Sequence, residues 1–192
     1  MAISTSQIKE LREKSGAGIM ESKRALEDTD GNIEKAVELL RQQGMSKAGK
    51  KSDRATSQGL VEPYIHGGGR IGALVEVNCE TDFVARTPDF QKLAHDIAMQ
   101  VAATAPRYLK SDDIPENEQA ALENEYGSRE NAAKSVALLD QVFIKDPGKT
   151  IGDLVKEHIG TLGENIIVSR FSRFELGGQG NTAEATATNS PA

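Results

Sequence analysis

Chemistry is sought first among the nucleophiles and metal ligands, and the chain offers few: one cysteine, Cys79, and three histidines. A thiolate activated by an imidazole would be a nucleophile, with His66 or His95 as the base for Cys79. The thiol, however, ends the run IGALVEVNC, whose Ile71, Ala73, Val75, Val77 and Cys79 share one alternating face. That face predicts a buried, inert side chain. The histidines lack the spacing of a metal site. GMSKAGKK at 44–51 nearly spells a phosphate-binding P-loop, but Lys51 stands where a Ser or Thr hydroxyl should hold Mg²⁺, and a helical pattern precedes it where a strand is needed. Gly67, Gly69 and Gly72 match GxGxxG yet lead into a strand, so a hairpin turn explains them better. The acidic stretch 112–130 lacks the alternating ligands and central glycine of a calcium loop. No nucleophile, base and orienting group can be assembled, so the reading is of a protein that is not an enzyme and needs no cofactor.

Two features resist explanation as ordinary surface or core. Met20 lies on the face of its helix shared with Lys23, Arg24 and Glu27, away from the stripe of Ile19 and Leu26. An apolar side chain beside lysine and arginine is a contact candidate. The second is ETDFVART, Glu80–Thr87, a short connection holding Phe83 and Val84. The residues alone favour packing of Phe83 and Val84 beneath the next helix over projection into solvent.

The elements that must carry these residues are legible from periodicity. Residues 1–44 read as three short helices: Ser4–Gln7 fits a capping box, SGAG at 15–18 breaks the first helix, and Asp30 fits the N-cap of the third, which Gly44 stops. Such a bundle is of the ubiquitin-associated type. Residues 45–57 have no apolar period and read as a basic linker. The expected α+β core, 58–177, opens with Leu60–Ile65 pairing Ile71–Cys79 through Gly67–Gly69. Thr87 and Pro88 then start the strongest helix, with Phe90, Leu93, Ala94, Ile97 and Val101 on one stripe and Pro106 ending it. A solvated acidic helix is expected at 112–130 and a strand at Val136–Ile144. Thr150 and Asp153 cap a further helix, and Ile166–Leu176 reads as a last strand. The tail 178–192 is too polar to order itself.

Composition bounds the partners. At 38% hydrophobic, 27% charged and 4% aromatic, the 192 residues suit a soluble, rather helical protein without a membrane span. A net charge of −6 argues against nucleic acid as the main partner. An RNA-associated factor using Lys47, Lys50, Lys51 and Arg54 would demand a steep salt dependence that the acidic remainder opposes. A lone cysteine fits a reducing compartment, and the absence of a leader-like start points to the cytosol, or to an organelle stroma after loss of a transit peptide.

TDFVAR after VEVNCE, together with ELREKSGAGIMESKRAL and LGENIIVSRFSRF, makes the chain resemble bacterial translation elongation factor Ts over about residues 1–177. One core module is visible, so it looks like a short form, without the long coiled-coil insertion of larger relatives. The resemblance implies a guanine nucleotide exchange factor for elongation factor Tu, the GTPase that delivers aminoacyl-tRNA to the ribosome. It implies that the loop Thr81, Asp82, Phe83 and Val84 contacts the partner's GTP-binding domain near its magnesium site, with Asp82 and Phe83 as the wedge that promotes Mg²⁺ and GDP release. By motif match Arg12, Ile19, Met20 and Lys23 also touch that domain, although the helical wheel turns Ile19 inward. Gln100 occupies a position often held by a partner-contacting histidine; it can donate a hydrogen bond but cannot become charged. A single core module further implies a homodimer. The rival class is a peptide-binding or ubiquitin-like-binding adaptor built on the helical bundle, which would leave TDFVAR unexplained.

Overall fold

The computed structural model describes residues 3–178 and 181–184, a mixture of helices and antiparallel strands. The chain divides into two compact units: the residues up to Arg54 together with Lys156–Asn165, and Ala55–Val155 together with the residues from Ile166 onward.

In the first unit, α1 (Thr5–Ser15) begins with the expected capping box, in which Ser4 Oγ accepts from the Gln7 amide and Gln7 Oε1 accepts from the Ser4 amide. It ends at Gly16, whose φ of 67° is the left-handed conformation that glycine adopts without strain. Helix α2 (Ile19–Asp28) and helix α3 (Ile33–Gly49) complete a three-helix core around Leu11, Ala25, Leu26 and Ala36. The third helix is capped by Asn32, which accepts from the Lys35 amide at 2.9 Å. Asp30, read as that cap, instead takes a left-handed turn with φ 52° next to Gly31. Nor does Gly44 stop α3, which continues to Gly49. The reason is packing: an alanine-sized Cβ at Gly160 would stand 2.7 Å from Gly44 Cα, so the two backbones meet where neither has a side chain.

In the second unit, β1 (Gln58–His66) and β2 (Ile71–Cys79) pair antiparallel as expected; the register sets Pro63 opposite Leu74, and Gly67–Gly69 form the left-handed turn. Strand β5 (Ile166–Glu175) lies on the other side of β2, with a bulge at Glu76 and Val77. Residues Asn181–Glu184, within the tail expected to stay unordered, form β6 and pair with β5 at Arg170–Arg173. Main-chain bonds to a strand with an open edge order these residues despite their polar composition. The rest of that tail and residues 1–2 lie outside the described residues. The sheet order is β1-β2-β5-β6.

A single-turn helix, α4 (Asp82–Ala85), follows β2, and α5 (Pro88–Thr104) then packs across β1 and β2. Phe90, Leu93, Ile97 and Val101 of α5 are buried with Val75, Val77 and Phe171 of the sheet. The acidic segment forms two helices, α6 (Glu116–Tyr126) and α7 (Arg129–Val136), which bury Leu122, Ala132 and Val136 in a satellite core. The strand expected at Val136–Ile144 is absent as such. Its first residues end α7 and make a 3-10 turn at Leu138–Asp140, and Val142–Phe143 alone forms β3, paired with β4 (Asp146–Thr150). Asp140 and Gln141 split the apolar run: the Asp140 carboxylate accepts from the Ser111 amide, and the Gln141 amide turns inward to the Ser135 carbonyl. Helix α8 (Ile151–Leu162) starts with the Thr150 and Asp153 box as expected.

Candidate functional site

A one-turn helix cannot sustain itself, because fixing its dihedrals costs more than its single hydrogen-bonded turn returns. The surroundings of α4 supply what it lacks. Thr81 caps it, accepting from the Val84 amide. Beneath, the Cys79 thiol donates to the Thr81 carbonyl at 3.1 Å, and Ala85 is buried. At the far end the Thr87 hydroxyl donates to the Val84 carbonyl at 2.8 Å while accepting from the Phe90 amide at 3.2 Å, so one side chain closes α4 and opens α5. On the solvent side Arg86 reaches back to Asp82 at 2.9 Å.

The ring of Phe83 stands out from this framed turn, 82% exposed. Its inward packing, favoured by the residues alone, does not occur. Ala85 is the side chain that α4 buries, and a residue two places away on a helix points to nearly the opposite side. Val84 is half-buried. A large apolar side chain held out in water on a turn framed by polar contacts is an arrangement suited to a partner's pocket.

In the first unit Met20 is 68% exposed one turn from exposed Lys23, as expected, and Arg12 is exposed on α1. Ile19, expected inward, is 58% exposed. The residues that α2 buries are Ser22, Ala25 and Leu26; Ile19 precedes them at the first position of the helix.

A model of the family described as Elongation factor TS matches residues 5–133, more than half of the chain. The chain belongs to the elongation factor Ts family. It is 49% identical to elongation factor Ts of Carboxydothermus hydrogenoformans, with 91% of this chain and 89% of the relative covered. It is likewise 49% identical to elongation factor Ts of Coprothermobacter proteolyticus, covering 92% of this chain and all of the relative, and 47% identical to that of Herpetosiphon aurantiacus over 92% and 99%.

For an elongation factor Ts relative, one expected contact residue is found buried. Gln100 is wholly buried and its amide is fully used within the chain. Its Nε2 donates to the Val142 carbonyl at 3.1 Å and to Gln141 Oε1, and its Oε1 accepts from the Ile144 amide at 3.0 Å. A side chain committed in this way holds the β3–β4 hairpin against α5. One turn earlier Asp96 does related work: its buried carboxylate bridges Lys92 at 2.7 Å and Lys145 at 2.6 Å. Burial alone would raise the Asp96 pKa, but the hydrogen bonds and charges of Lys145 and Lys92 outweigh it and hold the carboxyl below its ordinary value.

The enzyme-like patterns of this elongation factor Ts-family chain all have structural duties. Residues 44–49 are helical, and Lys51 Nζ donates to the Ile159 carbonyl at 3.3 Å, in the last turn of α8, where a phosphate would meet the negative end of the helix. Cys79 is fully buried, while His66 lies at the opposite end of the β1–β2 hairpin, roughly 26 Å along the strand. His66 stacks on Tyr64, and His95 Nδ1 lies 2.9 Å from Glu62 Oε1. Among the described residues no group of three or more His, Cys, Asp and Glu could hold a metal ion, and no helix is long and apolar enough to cross a membrane. Sequence reasoning missed Arg86. Its i, i+4 spacing from Asp82 is a readable ion-pair signal only once 82–86 is known to be helical.

Proposed function

We propose that this chain is the guanine nucleotide exchange factor for elongation factor Tu, acting through insertion of Asp82 and Phe83 near the GTPase's magnesium site. The observation that carries this reading is the 82% exposed Phe83 on a turn held by Cys79, Thr81, Arg86 and Thr87. Burying the ring in the partner's pocket removes apolar area from water, and a rigid turn loses little entropy on docking. The displacement weakens Mg²⁺ and phosphate contacts, GDP leaves, and abundant GTP replaces it. No covalent step is involved. The N-terminal helices, which we take to be of the ubiquitin-associated type, add a second grip through Arg12, Met20, Lys23 and the exposed Ile19.

We further propose that two copies pair through the sheet face turned away from α5. There Ile65, Leu74, Phe174 and Leu176 are exposed and line one shallow groove. Gly72 faces Ile65 on β1 and Phe174 on β5, so the middle strand contributes no side chain between them and the groove stays open.

Stopped-flow release of a fluorescent GDP analogue from elongation factor Tu, with excess unlabelled nucleotide, tests the exchange reading. Acceleration by the wild-type chain that largely disappears in Asp82→Ala/Phe83→Ala supports it; no acceleration by the folded wild-type chain refutes it. Linkage supplies a second check. Whatever factor this protein takes from the partner's affinity for GDP, GDP must take from the partner's affinity for this protein, at about 1.4 kcal/mol per tenfold. Two equilibrium titrations that disagree on that factor would show that the two ligands do not share one binding cycle.

A further inference from the structure

We infer that Arg86 is the positioning residue of the partner-facing turn: its guanidinium holds the Asp82 carboxylate and with it the helical turn that presents Phe83. The functional half of this inference rests on the exchange reading above. The structural half does not.

The turn needs support on two sides. From the protein side, the Cys79 thiol fixes the Thr81 carbonyl, the Thr87 hydroxyl fixes the Val84 carbonyl, and Ala85 is buried. These contacts hold the two ends and the inner surface. Within the turn the amides of Ala85 and Arg86 donate to the carbonyls of Thr81 and Asp82, both at 3.3 Å and therefore long, and the Thr87 amide donates to the Val84 carbonyl at 3.0 Å. On the exposed side of the turn Arg86 Nη2 meets Asp82 Oδ2 at 2.9 Å. An i, i+4 pair can close only while 82–86 keeps helical spacing, so the pair and the turn stabilise each other. Phe83 lies next to Asp82 within the bracket, and its ring is 82% exposed.

The same pair fixes the direction of the Asp82 carboxylate. Without Arg86, Asp82 is an exposed carboxylate free to rotate, with Glu80 close by in sequence, and part of its ordering would have to be done at the moment of docking. Pre-ordering of this kind improves binding and leaves the folded chain little changed, because an exposed pair contributes little to global stability. Arg86 acts here through Asp82 and not by touching the partner itself.

The experiment uses the full chain. GDP release from elongation factor Tu is measured with wild type, Arg86→Ala, Arg86→Lys, Asp82→Ala and Asp82→Ala/Arg86→Ala, at low salt and at about 0.5 M salt. Alongside, amide hydrogen exchange at Ala85 and Arg86 is followed in the free proteins. We expect Arg86→Ala to slow exchange about three- to tenfold, with Tm shifted by no more than about 2 °C. Arg86→Lys should stay within about twofold of wild type, since it keeps the charge. Removing Arg86 should have no further effect when Asp82 is already alanine, and the loss should shrink at high salt. The amides at positions 85 and 86 should exchange faster in Arg86→Ala. A wild-type rate in Arg86→Ala overturns the inference. So does an equal, additive loss in the Asp82→Ala background, which would make Arg86 a direct contact, and so does unchanged amide exchange. If wild type itself fails to accelerate GDP release, the exchange reading falls, and the amide exchange alone decides whether Arg86 positions the turn.

Discussion

At the scale of single residues, what the chain hides proves as informative as what it displays. Asp96 is buried between two lysines with exposed side chains, which ties α5 to the segment after β3. Its pKa lies below the ordinary 3.8, so its charged form is favoured in the folded state. A depressed pKa contributes stability that is present above the unfolded value and is lost as pH falls through the folded value. Stability should therefore decline below about pH 4 in part through this group. Asp96→Asn should remove about 1–3 kcal/mol near neutral pH and flatten the acid limb of the stability profile, measured by urea unfolding from pH 3 to pH 7. An unchanged acid limb would show that other carboxylates govern it. Neither Asp96 nor Gln100 was legible as a bracket for the hairpin, because their partners on that segment lie 41–49 residues away. Phe83 was singled out because a large apolar residue in a connection must be accounted for. Its outward direction was not readable from the residues, since that depends on Ala85 taking the inward place in a turn with no detectable period.

At the scale of elements, local signals were sufficient where the chain itself supplies the partner. The Ser4 box, the Thr87–Pro88 start of α5 and the Gly67–Gly69 turn all satisfy backbone groups within a few residues, and each is found where its residues place it. Misreadings fall where a distant segment decides. Gly44 looked like a helix end because glycine usually is one, but α3 passes through it so that α8 can approach. This makes an asymmetric prediction for two glycines at one contact. At Gly160 a Cβ would meet backbone at 2.7 Å, closer than real Cβ contacts come, so Gly160→Ala should cost about 1–3 kcal/mol. At Gly44 a Cβ would find its nearest neighbour at 3.9 Å, ordinary contact, so Gly44→Ala should be neutral or stabilise by up to about 1 kcal/mol through helix propensity. Thermal melts of the two variants decide the matter: equal destabilisation would mean that the helices are not held at this crossing. The Val136–Ile144 run failed as a strand for a related reason, since its apolar residues serve a helix end, a 3-10 turn and a two-residue ladder in succession.

At the scale of the whole molecule, the chain keeps a net charge of −6 yet leaves uncovered apolar residues on one face of its sheet. Like net charges oppose association of two copies, and burial of Ile65, Leu74, Phe174 and Leu176 favours it. Apolar burial at about 25 cal/mol per Å² acts at contact range, whereas net-charge repulsion is spread over the surface and screened beyond about 8 Å at physiological salt. In the proposed pairing the contact term outweighs the repulsion at moderate salt. Pairing should be concentration-dependent and should strengthen on raising salt from low to physiological levels, the reverse of an association driven by charge attraction. Phe174→Glu places a carboxylate in the groove and its symmetry mate, so each dimer would bury two unpaired charges, and dissociation should rise by tenfold or more. Because Phe174 is exposed in the single chain, the variant should fold normally by circular dichroism. Sedimentation equilibrium over a hundredfold range of concentration reads the outcome. A wild-type chain that stays at single-chain mass throughout would dismiss the pairing, and a dimer unaffected by Phe174→Glu would move its interface to another face. Exchange assays on the monomeric variant would then tell whether one copy alone can engage elongation factor Tu or whether the second copy completes the contact.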